Sequence, residues 1–286
     1  MLDLRQSINY AKFLTKQGWI VERINNTNYF IKKLPLIGSV LKIQRPKEIR
    51  YKDIEILSKK YKPFQIIIEP LELNKGEELK IKDYGFKLSN SPFLPSKTIH
   101  IDLTQSEGDI FRNFSKDCKF SIRKGEGLKI ENYNSPEKIK VFRETWRKSV
   151  NFKRYVPSLE RLLSLKKTFP NNTSIFLTSH NVSGSIIGGA IFTVSSHKEK
   201  NFGAYYVYGF TNKEGRTSLS QYSLLYQGIL WGKKVGCKIF DMEGIYDDRF
   251  PNKSWLGFSH FKKKFGGTEI LYPGCYTRYK LPIFDH

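Results

Sequence analysis

The chain has 286 residues and is strongly basic: 49 Lys and Arg residues against 27 Asp and Glu residues give a formal net charge of +22. Its 14% aromatic content argues against an intrinsically disordered protein. No window approaches 18 uncharged apolar residues, and residues 1–20 carry charges throughout, so we expect neither a spanning helix nor a signal peptide. We therefore expect a cytoplasmic protein, with contact at the inner face of the membrane as an option.

Cysteine and histidine usage argues against disulfides and metal sites. The 3 cysteines are an odd number without C-x-x-C spacing, and the 5 histidines are scattered along the chain. We therefore expect reduced cysteines that pack in the interior, and neither a metal nor a cofactor.

The positive charge is spread along the chain rather than collected in a tail. Residues 1–100, 101–200 and 201–286 carry net charges of +9, +8 and +5, from 19, 18 and 12 basic against 10, 10 and 7 acidic residues. Residues 112–167 are denser, with 16 basic and 6 acidic residues. This pattern fits either a polyanionic partner or a lysine-rich solvated surface, and charge alone does not decide between them.

The first third of the chain predicts one helix, a β-meander, a second helix and a buried strand. Apolar residues at helical spacing in 7–18 end at Gly18, a common helix stop. Short β-rich runs separated by turn residues then predict an antiparallel meander. The predicted strands cover residues 19–24, 29–33, 39–44 and 65–69, and the second helix covers 54–60.

A proline-rich stretch at 91–98 separates this unit from a second one that follows a similar plan. The second unit predicts helices at 109–114, 118–124, 136–150, 158–169 and 219–235, and strands at 99–103, 128–131, 174–178, 185–194, 202–210 and 238–242. Hairpins followed by one helix and one more strand favour an α+β fold with mixed sheets over a doubly wound sheet. We predict domains at 1–97 and 98–269, with a C-terminal strand within 270–286 returning to the first.

Common catalytic signatures are missing from the sequence. It contains no G-x-S-x-G, H-E-x-x-H, G-x-x-x-x-G-K-[ST] or G-x-G-x-x-G motif. Acetyltransferases of the GNAT fold bind the diphosphate of coenzyme A with an R/Q-x-x-G-x-G/A loop at a helix N-terminus. The equivalent loop here, TNKEGRTSLSQYS, has Gly215 and Arg216 but lacks the second glycine. An acyl donor other than coenzyme A is therefore favoured.

Three ordered motifs in the second unit carry a specific resemblance. They are YYVYG at 205–209, FDMEGI at 240–245 and GFSHFKKKFGG at 257–267, supported by QRP at 44–46, IRK at 122–124 and ETWR at 144–147. With these motifs the chain resembles the FemXAB family of peptidyltransferases over nearly its full length. The resemblance implies two tandem GNAT-like (acyl-CoA N-acyltransferase-like) domains. Because no uninterrupted heptad segment is present, it implies the compact subtype without a coiled-coil arm.

The resemblance also implies a reaction and two partners. Members of the family transfer an amino acid from aminoacyl-tRNA to an amine of a peptidoglycan precursor peptide, either UDP-MurNAc-peptide or lipid II. The ester donor is already activated, so such an enzyme needs positioning and oxyanion stabilisation rather than a nucleophilic side chain. We expect a monomer.

Several basic residues are candidates for binding these substrates. The resemblance implies that Phe261, Lys262, Lys263 and Lys264 hold the acceptor end of tRNA by stacking and phosphate contacts. The alternative is an ordinary basic helix whose Phe258 and Phe265 face the core. The best matches to the basic residues that grip the precursor diphosphate are Lys42 or Arg45, together with Arg147.

Two pairs of polar residues complete the predicted site. Tyr206 and Tyr208 alternate with Val207, so we expect both on one strand face, either as substrate contacts or as core residues with a polar tip. Asp241 and Glu243 also share one face at the end of an apolar strand. Either carboxylate could accept the proton of the attacking amine, or both could pair with nearby lysines.

Two rival functions stay open from the sequence. The first keeps the fold but uses an acyl-coenzyme A donor. The second is a non-catalytic basic module that binds RNA or a membrane surface. Binding of acetyl-coenzyme A would favour the first, and binding of tRNA without turnover would favour the second.

Overall fold

Two β-sheets and ten α-helices form the parts of the chain that the computed structural model describes, residues 3–152, 154–197 and 200–280. Both sheets are mixed, with helices packed against them, which confirms the predicted α+β class. Within these ranges the longest α-helix has 15 residues, and no helix is both long enough and apolar enough to cross a membrane.

The first sheet has six strands in the order β1-β2-β3-β4-β13-β5. Its strands are β1 (Ile20–Ile24), β2 (Thr27–Leu34), β3 (Gly38–Gln44), β4 (Pro63–Glu69), β5 (Lys87–Leu88) and β13 (Tyr276–Tyr279). Its helices are α1 (Ile8–Lys16), α2 (Tyr51–Tyr61) and α3 (Lys75–Asp83). Strands β1 to β3 form the predicted antiparallel meander, in which Asn25 and Asn26 take positive φ angles of 48° and 65° in the two-residue turn.

Helix α3 and the short strand β5 are elements of this unit that the sequence prediction missed. The signal for α3 is a capping box, in which Asn74 and Glu77 each bind the other's backbone N–H. At the other end of the chain, β13 pairs with β4 and β5, so the C-terminal part of the described chain closes the first sheet. The proposed domain boundary at 97/98 stays a prediction.

The second sheet has seven strands in the order β12-β6-β11-β10-β9-β8-β7. The strands are β6 (Lys97–Asp102), β7 (Lys129–Asn132), β8 (Ser174–His180), β9 (Ile186–His197), β10 (Lys200–Thr211), β11 (Ile239–Asp241) and β12 (Thr268–Leu271). The helices are α4 (Glu107–Arg112), α5 (Lys116–Lys124), α6 (Pro136–Ser149), α7 (Leu159–Thr168), α8 (Lys213–Thr217), α9 (Ser220–Lys234) and α10 (Leu256–Lys263).

The two faces of the second sheet bury different sets of helices. On one face, residues of α4, α5 and α9 form an apolar cluster with the sheet. On the other face, α6 and α7 pack together with Leu4, Phe13 and Phe30 from the N-terminal part of the chain. The first unit therefore contributes directly to the core around the second sheet.

Candidate functional site

The candidate site lies where two neighbouring strands of the second sheet separate. Strands β10 and β11 pair in parallel at three positions, the last being Tyr205 opposite Asp241, whereas β10 continues to Thr211. Beyond this point the ladder on that side of β10 ends. Side chains from the loop after β11 and from α10 approach β10 there.

A β-bulge in β10 places two predicted tyrosines on opposite faces. The register shifts between Tyr206 and Tyr208. As a result, the Tyr206 ring stacks on Phe192 at 5.5 Å on the α9 side, and the Tyr208 ring lies 5.6 Å from Trp146 on the α6 side. The expectation that they share one face is wrong, because the extra residue of a bulge breaks the two-residue alternation of a strand.

A cavity of about 830 Å³ opens beside the end of β10, between Tyr206 and the last turn of α6. We call it the large cavity. Its walls combine rings with cationic groups and include Tyr206, Tyr222, Phe258, Phe261, Arg154 and Arg216. Gly215 from the coenzyme A-type loop also lines it, and a Cβ there would lie 2.1 Å from the Ile187 carbonyl oxygen. The glycine is therefore needed for close backbone packing.

Lys262 brings a buried ammonium group to the wall of the large cavity. Only 6% of the surface of Lys262 is exposed. Its Nζ donates hydrogen bonds to the carbonyl oxygen of Glu243 and to that of Gly244, the second at 2.7 Å. The rings of Tyr206 and Phe258 lie 5.6 and 5.1 Å from Nζ. Burial lowers the pKa of Lys262 to about 8, although Glu243 and Asp241 oppose this shift. An ammonium has three N–H donors, so one remains for a ligand.

The other members of the predicted tRNA-binding group lie in different surroundings. Lys263 pairs with Glu269 at 2.6 Å, and Lys264 pairs with Asp117 at 3.0 Å. Phe261 is half-buried and packs edge-on against Tyr222, with ring centres 4.8 Å apart. Of the two rings expected in the core under the alternative, Phe265 is buried, whereas Phe258 is 38% exposed and lines the large cavity.

Asp241 is a buried carboxylate whose oxygens already have partners. One oxygen accepts hydrogen bonds from the Thr98 hydroxyl and from the Glu243 backbone N–H, the latter at 2.8 Å. The other lies 3.2 Å from Nε2 of His100. Burial acts to raise the pKa of Asp241, but the interactions with His100 and Thr98 outweigh it and lower the pKa. This arrangement suits a residue that fixes the loop after β11.

Glu243 has the free carboxylate oxygen that Asp241 lacks. Its Oε2 accepts a hydrogen bond of 2.7 Å from Nη2 of Arg5. Its Oε1 is buried and has no hydrogen-bond partner among the described residues. Burial raises the pKa of Glu243 despite the opposing charge of Arg5. Glu243 lines a second cavity of about 110 Å³, the small cavity, which Tyr208 and Arg161 also line.

Glu243 therefore joins the two cavities. Its carbonyl oxygen accepts a hydrogen bond from Lys262, which lines the large cavity, and Glu243 itself lines the small one. The residue has a positive φ of 53°, which a non-glycine residue rarely adopts. A strained backbone at such a point is typical of functional sites.

The three residues predicted to bind the diphosphate do not form one group. Nζ of Lys42 lies 4.2 Å from the Phe93 ring centre, and burial lowers its pKa. Arg45 is buried, stacks over Tyr272 at 3.6 Å and donates hydrogen bonds to the carbonyl oxygens of Pro70 at 3.1 Å and Pro95 at 2.6 Å. Arg147 is exposed in the last turn of α6. Arg45 therefore ties together the segments after β4 and before β6.

Sequence reasoning missed Arg5 and Arg161, which line the small cavity. Neither belongs to a recognisable motif, and only the fold brings them to β10. Within the described ranges, no group of three or more His, Cys, Asp or Glu residues could hold a metal ion.

Comparisons with known proteins address the fold. A scan against protein-family models and a search of curated proteins found no match. The chain is similar to the crystal structure of FemX, with a TM-score of 0.79, 15% identity and coverage of 97% of this chain and 92% of that one.

Two further solved structures are similar at lower scores. One is the C-terminal domain of a putative lysylphosphatidylglycerol synthetase from Agrobacterium fabrum, with a TM-score of 0.62, 12% identity and coverage of 96% of this chain and 88% of that one. The other is a tandem GNAT protein from the clavulanic acid biosynthesis pathway, with a TM-score of 0.55, 10% identity and coverage of 91% and 82%. The chain thus has a FemX-like tandem GNAT fold, as its sequence motifs predicted.

Proposed function

We propose that this protein is an aminoacyltransferase that moves an amino acid from aminoacyl-tRNA to an amine of a peptidoglycan precursor peptide. The acceptor is a UDP-linked or lipid-linked muropeptide. The observation that carries the proposal is the buried ammonium of Lys262, which lies at the wall of the large cavity beside the gap between β10 and β11. The FemX-like fold and the motifs at 205–209, 240–245 and 257–267 support it.

The large cavity suits the end of an aminoacyl-tRNA. Its aromatic walls, Phe258, Phe261 and Tyr222, offer stacking surfaces for an unpaired base, and such stacking tolerates any base. Arg154 and Arg216 at its rim provide positive charge for backbone phosphates. In this proposal Lys263 and Lys264 also contact tRNA, exchanging their carboxylate partners Glu269 and Asp117 for phosphates.

The chemistry needs one proton acceptor and one hydrogen-bond donor. The acceptor amine attacks the ester carbonyl, an N–C bond forms, and the C–O bond to the ribose breaks. The remaining N–H of Lys262 stabilises the oxyanion and then gives a proton to the leaving ribose oxygen. Glu243, whose Oε1 has no hydrogen-bond partner among the described residues and whose carbonyl oxygen accepts a hydrogen bond from Lys262, takes the proton from the amine. Asp241 keeps the loop that carries Glu243 in place.

One local observation favours a second candidate acyl donor, an acyl-coenzyme A. Leu219, the residue before α9, provides no side-chain cap for this helix, and it lines the large cavity. An uncapped helix start can bind a phosphate of coenzyme A as well as one of tRNA. A rise in melting temperature with acetyl-coenzyme A, together with acetylation of an amine, would favour this alternative.

The test is a transfer assay with purified protein, charged tRNA and either UDP-linked or lipid-linked muropeptide. We expect a precursor one amino acid longer, detected by mass spectrometry. Lys262→Met should abolish most of this product, whereas Lys234→Met, an exposed lysine in the last turn of α9, should not. No extension with any charged tRNA contradicts the proposal, and tRNA binding without extension would favour the non-catalytic module.

A further inference from the structure

The hairpin between β2 and β3 ends in bulky aliphatic residues that face water. We call residues 34–38 the hairpin tip. Leu36 at its apex is fully exposed, with a relative surface of 108%, and Ile37 is 60% exposed. Leu36 also has a positive φ of 67°, which costs free energy in a residue with a Cβ. Within the described structure, no packing offsets this cost.

Several lysines lie on the segments next to the hairpin tip, and we call them the lysine group. The end of α2 lies beside it, because Ser39 Oγ donates a 2.8 Å hydrogen bond to the Tyr61 carbonyl and a Cβ on Gly38 would lie 3.3 Å from the Lys62 carbonyl. The backbone of Lys280 also reaches this end of the sheet through a 2.8 Å hydrogen bond to Phe64. The lysines on these segments are Lys32, Lys33, Lys59, Lys60, Lys62 and Lys280.

The lysine group carries a net positive charge. Lys60 does not add to it at the tip, because its Nζ pairs at 2.7 Å with Glu22, which lies opposite Tyr29 in the β1–β2 ladder. Lys32 donates to the backbone carbonyl of Gly18 at 2.9 Å, which satisfies one of its donors but leaves its charge. Lys33, Lys59 and Lys62 are exposed.

We propose that the hairpin tip inserts into the surface of a lipid bilayer that contains anionic lipids. Leu36 and Ile37 would enter the boundary between headgroups and acyl chains, while the exposed lysines of the lysine group bind anionic headgroups. An RNA partner is less well matched, because the tip carries aliphatic side chains rather than aromatic rings on which bases stack. Exposed aliphatic residues next to exposed lysines therefore favour an anionic lipid bilayer over RNA as the partner.

The position of the tip leaves the candidate site accessible. Strand β3 runs seven residues from Gly38 to Gln44, and Arg45 follows at the site end of the sheet. At about 3.3 Å per residue, the tip lies roughly 20 Å from Arg45. Docking through the tip would thus keep the candidate site away from the bilayer surface. This inference goes beyond the proposed function and does not depend on the acyl donor.

The test is sedimentation of the full chain with vesicles of phosphatidylcholine, with and without phosphatidylglycerol. We expect binding to the anionic vesicles and a loss of about tenfold or more in Leu36→Asp/Ile37→Asp, since both apolar insertion and charge attraction are weakened. The matched control is Val182→Asp/Ser183→Asp at the turn between β8 and β9, which adds the same charge at two exposed residues, Val182 being 105% exposed. This control should bind like the unchanged protein.

A second readout separates insertion from mere attraction. Leu36→Trp should shift its fluorescence to the blue on binding anionic vesicles, whereas Val182→Trp should not. Equal melting temperatures of all variants establish that they are folded. Undiminished vesicle binding by Leu36→Asp/Ile37→Asp would overturn the proposal. So would a loss of tRNA affinity in that variant without a loss of vesicle binding.

Discussion

The guanidinium of Arg5 lies 2.7 Å from the carboxylate of Glu243, although the two residues are 238 positions apart in the sequence. Both side chains are largely shielded from water, with 10% and 16% of their surfaces exposed. The pair connects the segment before α1 to the loop after β11, beside the bulged strand β10. The N-terminal segment is therefore part of the candidate site.

Arg5→Gln should destabilise the protein, because it leaves Glu243 buried without a counter-charge. Breaking a buried ion pair typically costs about 3–5 kcal/mol of unfolding free energy. The pKa of Glu243 is already raised by burial and should rise further in the variant. A raised carboxyl pKa means that the folded state binds more protons than the unfolded state, so the variant should lose stability as the pH rises through that window.

Urea unfolding at pH 5 and pH 8 measures both effects. The deficit of Arg5→Gln relative to the unchanged protein should be smaller at the lower pH. The double variant Arg5→Gln/Glu243→Gln should recover part of the loss, because Glu243 then carries no unpaired charge. The recovery should be incomplete, because the buried Asp3, 3.5 Å from Arg5, also loses its partner. Strictly additive losses would argue against the buried pair.

Lys262 should give the protein an unusual rise in stability at alkaline pH. Because its pKa falls to about 8 in the folded state, the unfolded chain binds more protons between that pH and the ordinary lysine pKa. Unfolding free energy from this group then increases with pH by about 1.4 kcal/mol per unit across the window. Unfolding of the unchanged protein and Lys262→Met should be compared at pH 7 and pH 9.5.

Between pH 7 and pH 9.5 the unchanged protein should gain roughly 2 kcal/mol of unfolding free energy relative to the variant. The transfer rate should move in the opposite direction. It should fall above about pH 8, because the proposed donor loses its proton. Parallel stability curves would show that Lys262 is not buried as a charged group.

Asp241→Asn and Glu243→Gln should differ in their effects on the rate of transfer. Asp241→Asn replaces an acceptor of bonds from Thr98, His100 and the Glu243 N–H, so we expect a loss of about 1–3 kcal/mol in unfolding free energy. Glu243→Gln keeps the shape and the Arg5 contact but removes the base. It should therefore lower kcat by about a hundredfold or more. It should also cost unfolding free energy, because the buried Arg5 loses the charge of its partner. A normal kcat in Glu243→Gln would remove it as the base.

Much of the fold could be predicted from local sequence patterns. The meander strands follow from β-rich runs between Asn-Asn and Gly turns, and α9 follows from a long apolar segment that ends before Gly236. The FemX-like fold followed from ordered motifs. Turns, apolar periodicity and short motifs each involve residues that are close together in the sequence, so they can be recognised without the structure.

The arrangement of the site depended on contacts that no local pattern encodes. The bulge at Val207 reverses the face of Tyr208, although the run of tyrosines alternates regularly in sequence. In the sequence, Lys262 is one of three consecutive lysines and is expected at the surface. In the structure it is buried, and its Nζ donates hydrogen bonds to the carbonyl oxygens of Glu243 and Gly244. Its burial follows from the loop after β11, which the sequence places 18 residues away.

Arg154 and Arg216 should control the salt dependence of tRNA binding if the large cavity holds the end of the donor. Both are exposed and line that cavity, so each can neutralise a phosphate and release a counterion. For a single strand, losing one such contact lowers the slope of log K against log salt by about 0.7. Arg154→Ala/Arg216→Ala should thus reduce the slope by roughly 1.4.

The matched control is Lys140→Ala/Lys234→Ala, two exposed lysines of α6 and α9. It removes the same charge as the double arginine variant, but neither lysine lines the large cavity. Filter-binding titrations with aminoacyl-tRNA at several salt concentrations measure the slopes. Equal slopes in all variants would place the tRNA elsewhere on the basic surface. A reduced slope confined to the arginine variants would separate a specific phosphate contact from the general attraction of a protein with a net charge of +22.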